Sequence, residues 1–330
     1  QDSIFTNNER YDTIESKGGV LFVKDEFEKI SAFARSLGDE FLIIIENNIN
    51  KKDTDLLFRM KYPLSADWNE IKSGDFISVR ADKKYMVPKP EASSSFSTSP
   101  IFASSLWIGA LDENNSLHLA AMTYGQSGQD FKPGPSSKFD DKKYDRIWKV
   151  TRTEIAAHII NPKNPIDAIL TWPGNGNTLN NEPSQLAPYE DINKNGVYEP
   201  KLGDYPKIKG EVAAYCIYND NRTHTETGGE PLNIDIHQMF FQERAGSLKG
   251  VLDNNNMAWF KIVNRANHTY HDLRIGVWVD FDLGYFGDDY IACDTILDMM
   301  YVYNGDDQDE GERGYGIRPP AQGMKFLSHR

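Results

Sequence analysis

Short apolar runs rich in aromatic and β-branched residues recur along the last two thirds of the chain, with Gly, Pro and Asn turns between them. Such runs are typical of antiparallel strands. We therefore predict a mainly β fold, an antiparallel β-sandwich-like architecture with long loops. Residues 146–160 fit a strand that runs into a helix. The predicted strands are 105–109, 117–122, 212–218, 236–241, 257–263, 273–279 and 299–303.

The N-terminal part has a different pattern. Residues 25–38 place apolar side chains at helical spacing and end in Gly38, which predicts a helix. A Pro- and Ser-rich segment at 87–100 is typical of a loop or linker. The predicted strands of this part are 41–46, 55–62 and 75–80.

These patterns suggest two regions. Residues 1–90 are predicted to form a small N-terminal α+β region or an insertion. Residues 91–330 are predicted to form a β-rich, calcium-binding surface-protein domain. The chain around 190–210 is a candidate boundary between two packed β sub-domains within it.

The segment 191–206 carries the clearest chemical motif, D-x-N-x-N-G-x-Y followed by G-D-Y-P. Oxygen-bearing side chains at alternate positions, followed by a glycine, are what a short loop needs to wrap Ca²⁺. The twelfth position, where an EF-hand has Glu, is Leu202, so the fit to that loop is partial. The predicted ligands are Asp191, Asn193, Asn195, the carbonyl of Val197, and Asp204 as the closing carboxylate.

Two prolines shape this prediction. Pro200 and Pro206 prevent a long helix from leaving the loop, so we expect a calcium loop without the two helices of an EF-hand. The alternative is an ordinary Asn-Gly turn with hydrated polar groups.

A second acidic segment follows the predicted strand 273–279. Residues 280–312 contain eleven acidic residues and no Lys or Arg. Carboxylates this dense repel one another unless they face water or share a cation. We predict a second calcium site here, against the alternative of a hydrated acidic loop, and we expect 306–312 to be a hydrated turn. The candidate ligands are Asp280, Asp282, Asp288, Asp289 and Asp294.

The net charge of the chain limits the classes of binding partner. The 330 residues include 36 basic and 49 acidic side chains, for a net charge of −13. This balance argues against nucleic acid and anionic membrane surfaces as partners. No run is long and apolar enough for a transmembrane segment. Since the chain starts at Gln1, we expect a mature form from which a signal peptide has been removed.

The two cysteines, Cys216 and Cys293, leave two possibilities open: one disulfide or two buried thiols. Neither has a second Cys at zinc-ligand spacing. Four residues, His224, Glu226, Asp235 and His237, could bind a transition metal if they met, although hydrogen-bonded histidines are the commoner outcome.

Several segments in order resemble a family. They resemble the large exported surface proteins of Bacteroidota, which usually end in a sorting domain for type IX secretion. The resemblance covers about 100–330. It rests on 105–109 (SLWIG), 128–135 (GQDFKPGP), 172–173 (WP), 186–191 (LAPYED), 203–206 (GDYP), 218–220 (YND), 224–231 (HTETGGEP), 264–265 (NR), 276–282 (GVWVDFD), 288–294 (DDYIACD), 303–305 (YNG) and 315–316 (YG).

The resemblance implies export and a place on the cell surface or in the medium, with surface or secretion-system proteins as partners. It brings no known reaction. Carboxylate pairs such as Asp288 with Asp289, or Glu226 with Glu230, could serve a glycoside hydrolase. Calcium uses the same groups without a shifted pKa, so a non-enzymatic adhesion or assembly role is the main hypothesis.

A carbohydrate-binding or carbohydrate-active module with structural calcium is the alternative. Its binding face would be built from tryptophans, and Trp172, which precedes Pro173 and a Gly/Asn loop, is the best candidate for an exposed platform. Trp259 and Trp278 lie inside apolar runs, where core packing is expected. The remaining candidates are Trp107 and Trp148.

Overall fold

The computed structural model confirms a mainly β protein built from antiparallel sheets. It describes residues 11–17, 20–25, 30–37, 40–47, 53–61, 100–125, 128–140, 142–242, 255–294, 299–311 and 314–329. The predicted strand 75–80 and nearly all of the linker 87–100 lie outside these residues.

The first sheet, sheet 1, has seven strands in the order β1-β2-β3-β4-β15-β6-β7, and all its pairs are antiparallel. Its N-terminal strands join the C-terminal half through β4, which pairs with β15. The strands are β1 Tyr11–Lys17, β2 Val20–Asp25, β3 Ile30–Leu37, β4 Glu40–Asn47, β6 Ala103–Leu111, β7 Leu117–Ala120 and β15 His271–Asp280.

The second sheet, sheet 2, follows the order β16-β17-β20-β5-β14-β13-β12-β8, with β9 also paired to β12. The N-terminal strand β5 lies in its middle, between β14 and β20. The strands are β5 Asp53–Lys61, β8 Lys132–Pro133, β9 Trp148–Thr151, β12 Val212–Asn219, β13 Ile234–Gln242, β14 Asn255–Asn264, β16 Asp289–Asp294, β17 Met299–Asn304 and β20 Gln322–His329.

The main core lies between the two sheets, as expected for a sandwich. Sheet 1 contributes Ile108 and Val277, and sheet 2 contributes Cys216, Phe260 and Met300; all five are buried in one cluster. Because side chains alternate along a strand, the other residues of β12 and β13 face away from this core.

A third layer covers that back face of sheet 2. Tyr215 on β12 and Met239 on β13 pack there against Ile155, Ile169 and Trp172 in a second buried cluster. The layer contains helix α1 Arg152–Ile160, the short helix α2 Asp167–Leu170 and two small strands, β10 Tyr189–Glu190 and β11 Tyr205–Pro206. A further small pair, β18 Gln308–Asp309 with β19 Gly316–Ile317, lies near the C-terminus.

The strand predictions for the last two thirds of the chain agree with this structure. The mixed prediction for 146–160 is also confirmed, because β9 leads directly into α1. A capping box explains the switch: the Thr151 hydroxyl accepts from the Glu154 backbone N–H, and the Glu154 carboxylate accepts from the Thr151 N–H.

The helix predicted over 25–38 is wrong. Residues 30–37 form β3, which is paired with β2 on one side and with β4 on the other. Ile30, Phe33 and Leu37 fit a helical spacing, but Phe33 and Leu37 also fit a period of two. For so short a run, two neighbouring strands decide the outcome, since they satisfy the backbone hydrogen bonds.

Both cysteines are free thiols, so the disulfide alternative is excluded in this structure. Cys216 is fully buried in the main core, and Cys293 packs against the same cluster. In the part of the chain that the structure describes, no helix is both long enough and apolar enough to cross a membrane.

Candidate metal centre

The loop from Asp191 to Asp204 closes on its own oxygen atoms. Asp191 Oδ2 accepts from the Gly196 N–H at 2.7 Å, and Asn193 Oδ1 accepts from the Asn195 N–H at 3.1 Å. Lys194 and Gly196 both have positive φ, which bends the chain sharply enough for these contacts. The three predicted side-chain ligands at the start of the loop therefore lie around one tight turn.

Glu199 joins this group, although it was absent from the predicted ligands. Its Oε2 accepts from the Asn195 amide at 2.6 Å and from the Asn193 amide at 3.4 Å. Glu199 lies at the ninth position counted from Asp191. Its position could have indicated this role from the sequence. Positions 1, 3, 5 and 9 of an EF-hand loop all contribute to the metal site, and Glu199 occupies the ninth.

Asp204 clamps the loop from inside. It is fully buried, and its two oxygens accept from the backbone N–H groups of Ile192 at 2.9 Å and Glu199 at 2.7 Å. The predicted closing carboxylate is therefore adjacent to the loop and fixes both its beginning and its end. The Val197 carbonyl belongs to the same turn, where the Val197 N–H donates to Asn195 Oδ1 at 2.8 Å.

The third layer holds the loop in place. His158 of α1 donates from Nε2 to the Asp204 carbonyl at 3.0 Å. Tyr198 donates from its hydroxyl to the Ile169 carbonyl of α2 at 2.6 Å. The Asn175 side chain pairs with both backbone groups of Tyr198, at 2.7 and 2.9 Å. These contacts connect the loop to the buried face of sheet 2.

The loop exits as the prolines predict. Pro200–Leu202 form a single 3₁₀ turn, Gly203 takes a φ of 114°, and the chain continues into β11. No long helix follows, so the EF-hand comparison holds for the loop and not for its flanks.

The second acidic segment folds around two carboxylates. Asp289 Oδ2 accepts from the Leu283 N–H at 2.8 Å. Asp309 accepts from the N–H groups of Tyr285 and Tyr315, at 3.0 and 2.6 Å. Asp309 is buried, so the prediction that 306–312 is a hydrated turn is wrong at this position, although Asp306 and Asp307 are exposed. Tyr315 is six residues from Asp309, but Tyr285 is 24 residues away, and no local pattern reveals that contact.

A glycine makes this approach possible. Gly284 has a φ of 80°, and a Cβ there would lie 2.0 Å from Asp309 Oδ2. A side chain at this position would therefore displace the buried carboxylate.

The electrostatics of this cluster are unfavourable without a cation. Burial raises the pKa of Asp282 to about 7, and the nearby Asp280 adds to the effect. Burial also raises the pKa of Asp289 to about 7, with further contributions from Asp309 and Asp288. One buried oxygen of Asp288 and one of Asp289 lack a hydrogen-bond partner. A bound cation would relieve both the repulsion and the desolvation.

The predicted ligands of this segment do not all meet. Asp280 accepts from the Tyr124 hydroxyl at 2.7 Å, and Asp288 accepts from the Asn304 amide at 2.8 Å. Asp294 lies at the far end of β16, about 16 Å from Asp289 at the usual rise of a strand. Asp294 is therefore separate from the cluster, and Asp309 is closer to its centre.

Comparison with protein-family models, curated proteins and solved structures found no match.

The transition-metal candidates do not assemble. His237 faces the back of sheet 2, where its Nδ1 lies 2.6 Å from the Tyr215 hydroxyl and burial lowers its pKa to about 3. His224 lies instead between the Leu119 and Asp220 carbonyl oxygens, each 2.8 Å from a ring nitrogen. Among the residues that the structure describes, no three His, Cys, Asp or Glu side chains form a metal-binding group. Any calcium site must therefore also use amide or backbone oxygens.

His224 is part of a buried charged group. Carbonyl oxygens only accept, so the imidazole donates from both nitrogens and carries a positive charge. The carboxylates of Asp130 and Asp220, both fully buried, lie 3.7 Å from its two nitrogens. This group joins the loop after β12 to β7 and has a structural role.

The tryptophan platform predicted at Trp172 is wrong. Trp172 is buried, its ring centroid lies 5.0 Å from that of Tyr215, and its Nε1 donates to the Pro188 carbonyl. The sequence Trp-Pro-Gly marks the end of α2, where the side chain turns toward sheet 2. Trp148 and Trp278 are buried as well, whereas Trp259 and Trp107 are half-buried.

Proposed function

We propose that this chain is a non-enzymatic, calcium-stabilised β-sandwich protein of the cell exterior that acts in adhesion or surface assembly. The observation that carries the proposal is the loop at 191–204, in which acidic and amide side chains gather on one rigid turn. Calcium in this loop would stiffen its largely exposed part, residues 191–197, which lies outside the buried cluster that contains Tyr198.

The donor set fits a hard cation. Carboxylates at Asp191 and Glu199, amide oxygens at Asn193 and Asn195, and the Val197 carbonyl are all oxygen ligands, which Ca²⁺ prefers. The carboxylates accept hydrogen bonds from backbone and amide N–H groups, which a cation can partly replace. Asp204 holds the two ends of the loop through the backbone N–H groups of Ile192 and Glu199. Its carboxylate also adds negative charge next to the proposed ion.

We propose a second, weaker calcium site at the other acidic segment. Asp282, Asp288, Asp289 and Asp309 supply mutually repelling carboxylates, and Asp280 lies next to them. Since no three of the described carboxylates form a metal-binding group by themselves, backbone or amide oxygens would have to complete the set of ligands. The same raised pKa values would suit a general acid. Calcium is favoured because all these groups are carboxylates, which a shared cation can hold together. They lie at the end of β15 and on the loop after it, at the start of β16 and on β18.

The extracellular location rests on three sequence observations: the net charge of −13, the resemblance to exported surface proteins of Bacteroidota, and two loops suited to millimolar calcium. Export by type IX secretion follows from that resemblance. Partners would be other surface or secretion-system proteins or glycans, and not nucleic acid.

Calcium should raise the melting temperature. We expect a higher midpoint in millimolar calcium than in EDTA, because an ion that binds only the folded state stabilises it, by about 2.7 kcal/mol at 100 times its dissociation constant. Magnesium should have a smaller effect, since it demands a tighter octahedral site. A thermal melt measures the difference, and elemental analysis identifies an ion that resists EDTA.

Two variants test the two sites. Asp191→Ala and Asp280→Ala each remove a hydrogen-bond acceptor, so a small loss is expected in EDTA. In calcium each should lower the melting temperature by about 2 °C or more beyond that loss. Asp307→Ala, at an exposed position, is the matched control. If both variants match the parent in calcium, these loops are ordinary turns and the calcium proposal fails.

The chain should lose stability as the pH rises in EDTA. Burial raises the pKa of Asp282 and of Asp289 in the folded chain to about 7, well above the ordinary pKa of an aspartate. Between about pH 4 and pH 7 the unfolded chain therefore binds fewer protons than the folded one, so the free energy of unfolding falls as the pH rises. Calcium should reverse this fall, because it stabilises the ionised carboxylates.

Melting temperatures at pH 5, 6, 7 and 8 check this dependence. Asp289→Asn should flatten the profile in EDTA, whereas Asp306→Asn, an exposed neighbour, should leave it unchanged. A profile for the parent that does not fall between pH 5 and 7 would show that the two carboxyls are not desolvated as described.

A further inference from the structure

Three tyrosines form a strip on the outer face of the β16–β17 hairpin. Tyr290 lies directly opposite Tyr303, and Tyr301 is the next residue of β17 on the same face. The ring centroids of Tyr290 and Tyr303 are 6.0 Å apart and those of Tyr301 and Tyr303 are 5.8 Å apart, with interplanar angles of 26° and 35°. The three rings therefore form an L-shaped strip, in which a cross-strand pair is extended by one ring along β17.

The strip does not belong to the core. Met300 and Val302, which alternate with these tyrosines on β17, point into the sandwich and are fully buried. Tyr290 remains 58% exposed and Tyr303 40% exposed. Large exposed aromatic side chains on the outermost hairpin of a sheet favour non-specific association. A cluster of them at this place therefore indicates a binding surface.

The local backbone supports the strip. Gly305 follows β17, its N–H donates to the Asp288 carbonyl at 2.8 Å, and a Cβ on it would lie 2.7 Å from the Tyr290 ring. Ala292, opposite Tyr301, is small. The hairpin thus holds Tyr290 against a turn, whereas Tyr301 is half-buried.

The chemistry of the strip fits a neutral ring-shaped ligand with hydroxyl groups. A phenol offers an apolar face for packing and a hydroxyl that both donates and accepts. The segment 280–312, which contains the strip, has eleven acidic residues and no Lys or Arg, while Lys325 of β20 lies opposite Met299 on the same face. The surroundings are therefore mainly acidic, which disfavours acidic polysaccharides and nucleic acids. Exposed carboxylates such as Asp306 supply further acceptors for sugar hydroxyls.

A protein partner fits less well. A specific protein interface buries about 800 Å² on each partner, much more than three phenol rings provide. A chain of repeated neutral units needs only one ring for each unit it contacts.

We infer that the tyrosine strip Tyr290–Tyr303–Tyr301 is a binding platform for a neutral polysaccharide. This deepens the proposed adhesion function and rests on it, since it names the class of partner that the surface protein would hold. The strip is separate from the loop at 191–204 but adjoins the second proposed calcium site, since Asp289 directly precedes Tyr290. Glycan binding is therefore measured both in calcium and in EDTA.

Affinity electrophoresis of the whole chain tests the inference, with gels that contain a soluble β-glucan, a xylan, a mannan or, as the acidic probe, a pectate. We expect at least one neutral polysaccharide to retard the protein and the pectate not to. Tyr301→Ala and Tyr303→Ala should each weaken binding roughly tenfold, as expected when a stacking ring is removed. Tyr303→Phe, which keeps the ring, should reduce the affinity for the polysaccharide much less.

Tyr285→Ala is the matched control, because Tyr285 is also exposed but lies outside the hairpin. Melting temperatures of all variants confirm that each one is folded. The inference is overturned if no neutral polysaccharide retards the parent, if the Tyr301 and Tyr303 variants bind like the parent, or if only the pectate binds. A calcium-dependent melt together with absent glycan binding would refute the platform and leave the calcium proposal intact.

Discussion

Replacing Asp204 with alanine should cost about 3 kcal/mol of unfolding free energy, even in EDTA. The variant leaves the backbone N–H groups of Ile192 and Glu199 without their acceptor in a buried position. Each such loss costs about 1–3 kcal/mol. In calcium the deficit should be larger, because the loop that binds the ion is no longer closed. Chemical denaturation with and without calcium measures both effects.

Two further variants separate the causes. Asp204→Asn keeps the size of the side chain but has one acceptor oxygen instead of two, so its loss should be intermediate. Asp140→Ala removes an exposed carboxylate that pairs with Lys132 and should change stability by less than about 1 kcal/mol. If Asp204→Ala is no worse than Asp140→Ala, the carboxylate does not clamp the loop.

Replacing Asp130 with alanine should be at least as damaging, at about 4 kcal/mol. Asp130 is fully buried and accepts from the Ala121 N–H at 3.1 Å, the Glu226 N–H at 2.9 Å and the Thr227 hydroxyl at 2.6 Å. It also faces the charged ring of His224 at 3.7 Å. Removing one member of a buried charged group leaves the other uncompensated, which typically costs 3–5 kcal/mol.

Nitrogen NMR of the histidine ring provides the independent measurement. Hydrogen bonds from His224 to the carbonyl oxygens of Leu119 and Asp220 require a proton on both ring nitrogens, whereas a neutral ring carries one. Thr227→Val, which removes a single hydroxyl donor, should cost far less than Asp130→Ala. A neutral His224, or an Asp130→Ala variant as stable as Thr227→Val, would contradict the charged group described here.

The strands of the sandwich were predictable because each is a short apolar run bounded by turn residues. Residues 212–218 and 236–241 contain long apolar runs, and both became central strands buried on two faces. The segment 146–160 was predictable for a similar reason, since Thr151 and Glu154 are a local signal for a helix start. Residues 30–37 carried two compatible periods, and only their pairing with the neighbouring strands β2 and β4 decided between them.

The candidate sites were predictable only where their parts are close in sequence. Asp191, Asn193 and Asn195 lie within five residues of one another, so their spacing alone placed them on one turn. Asp309 and Trp172 were misjudged because their partners, Tyr285 and Tyr215, lie 24 and 43 positions away. Burial of a polar or aromatic residue depends on such distant packing, which composition does not encode.

The position of β5 has a consequence for how the chain reaches its folded state. This strand comes from the N-terminal part, yet both of its neighbours, β14 and β20, come from the C-terminal part. During synthesis, the backbone groups of β5 stay unpaired until β14 has been made. Those on its other side stay unpaired until β20 has been made. Such non-local pairing slows folding and exposes strand edges meanwhile. The second sheet therefore cannot be completed before the C-terminal strands have been synthesised. A truncated product that lacks β20 should expose one edge of β5 and aggregate through it, rather than fold as a smaller sandwich.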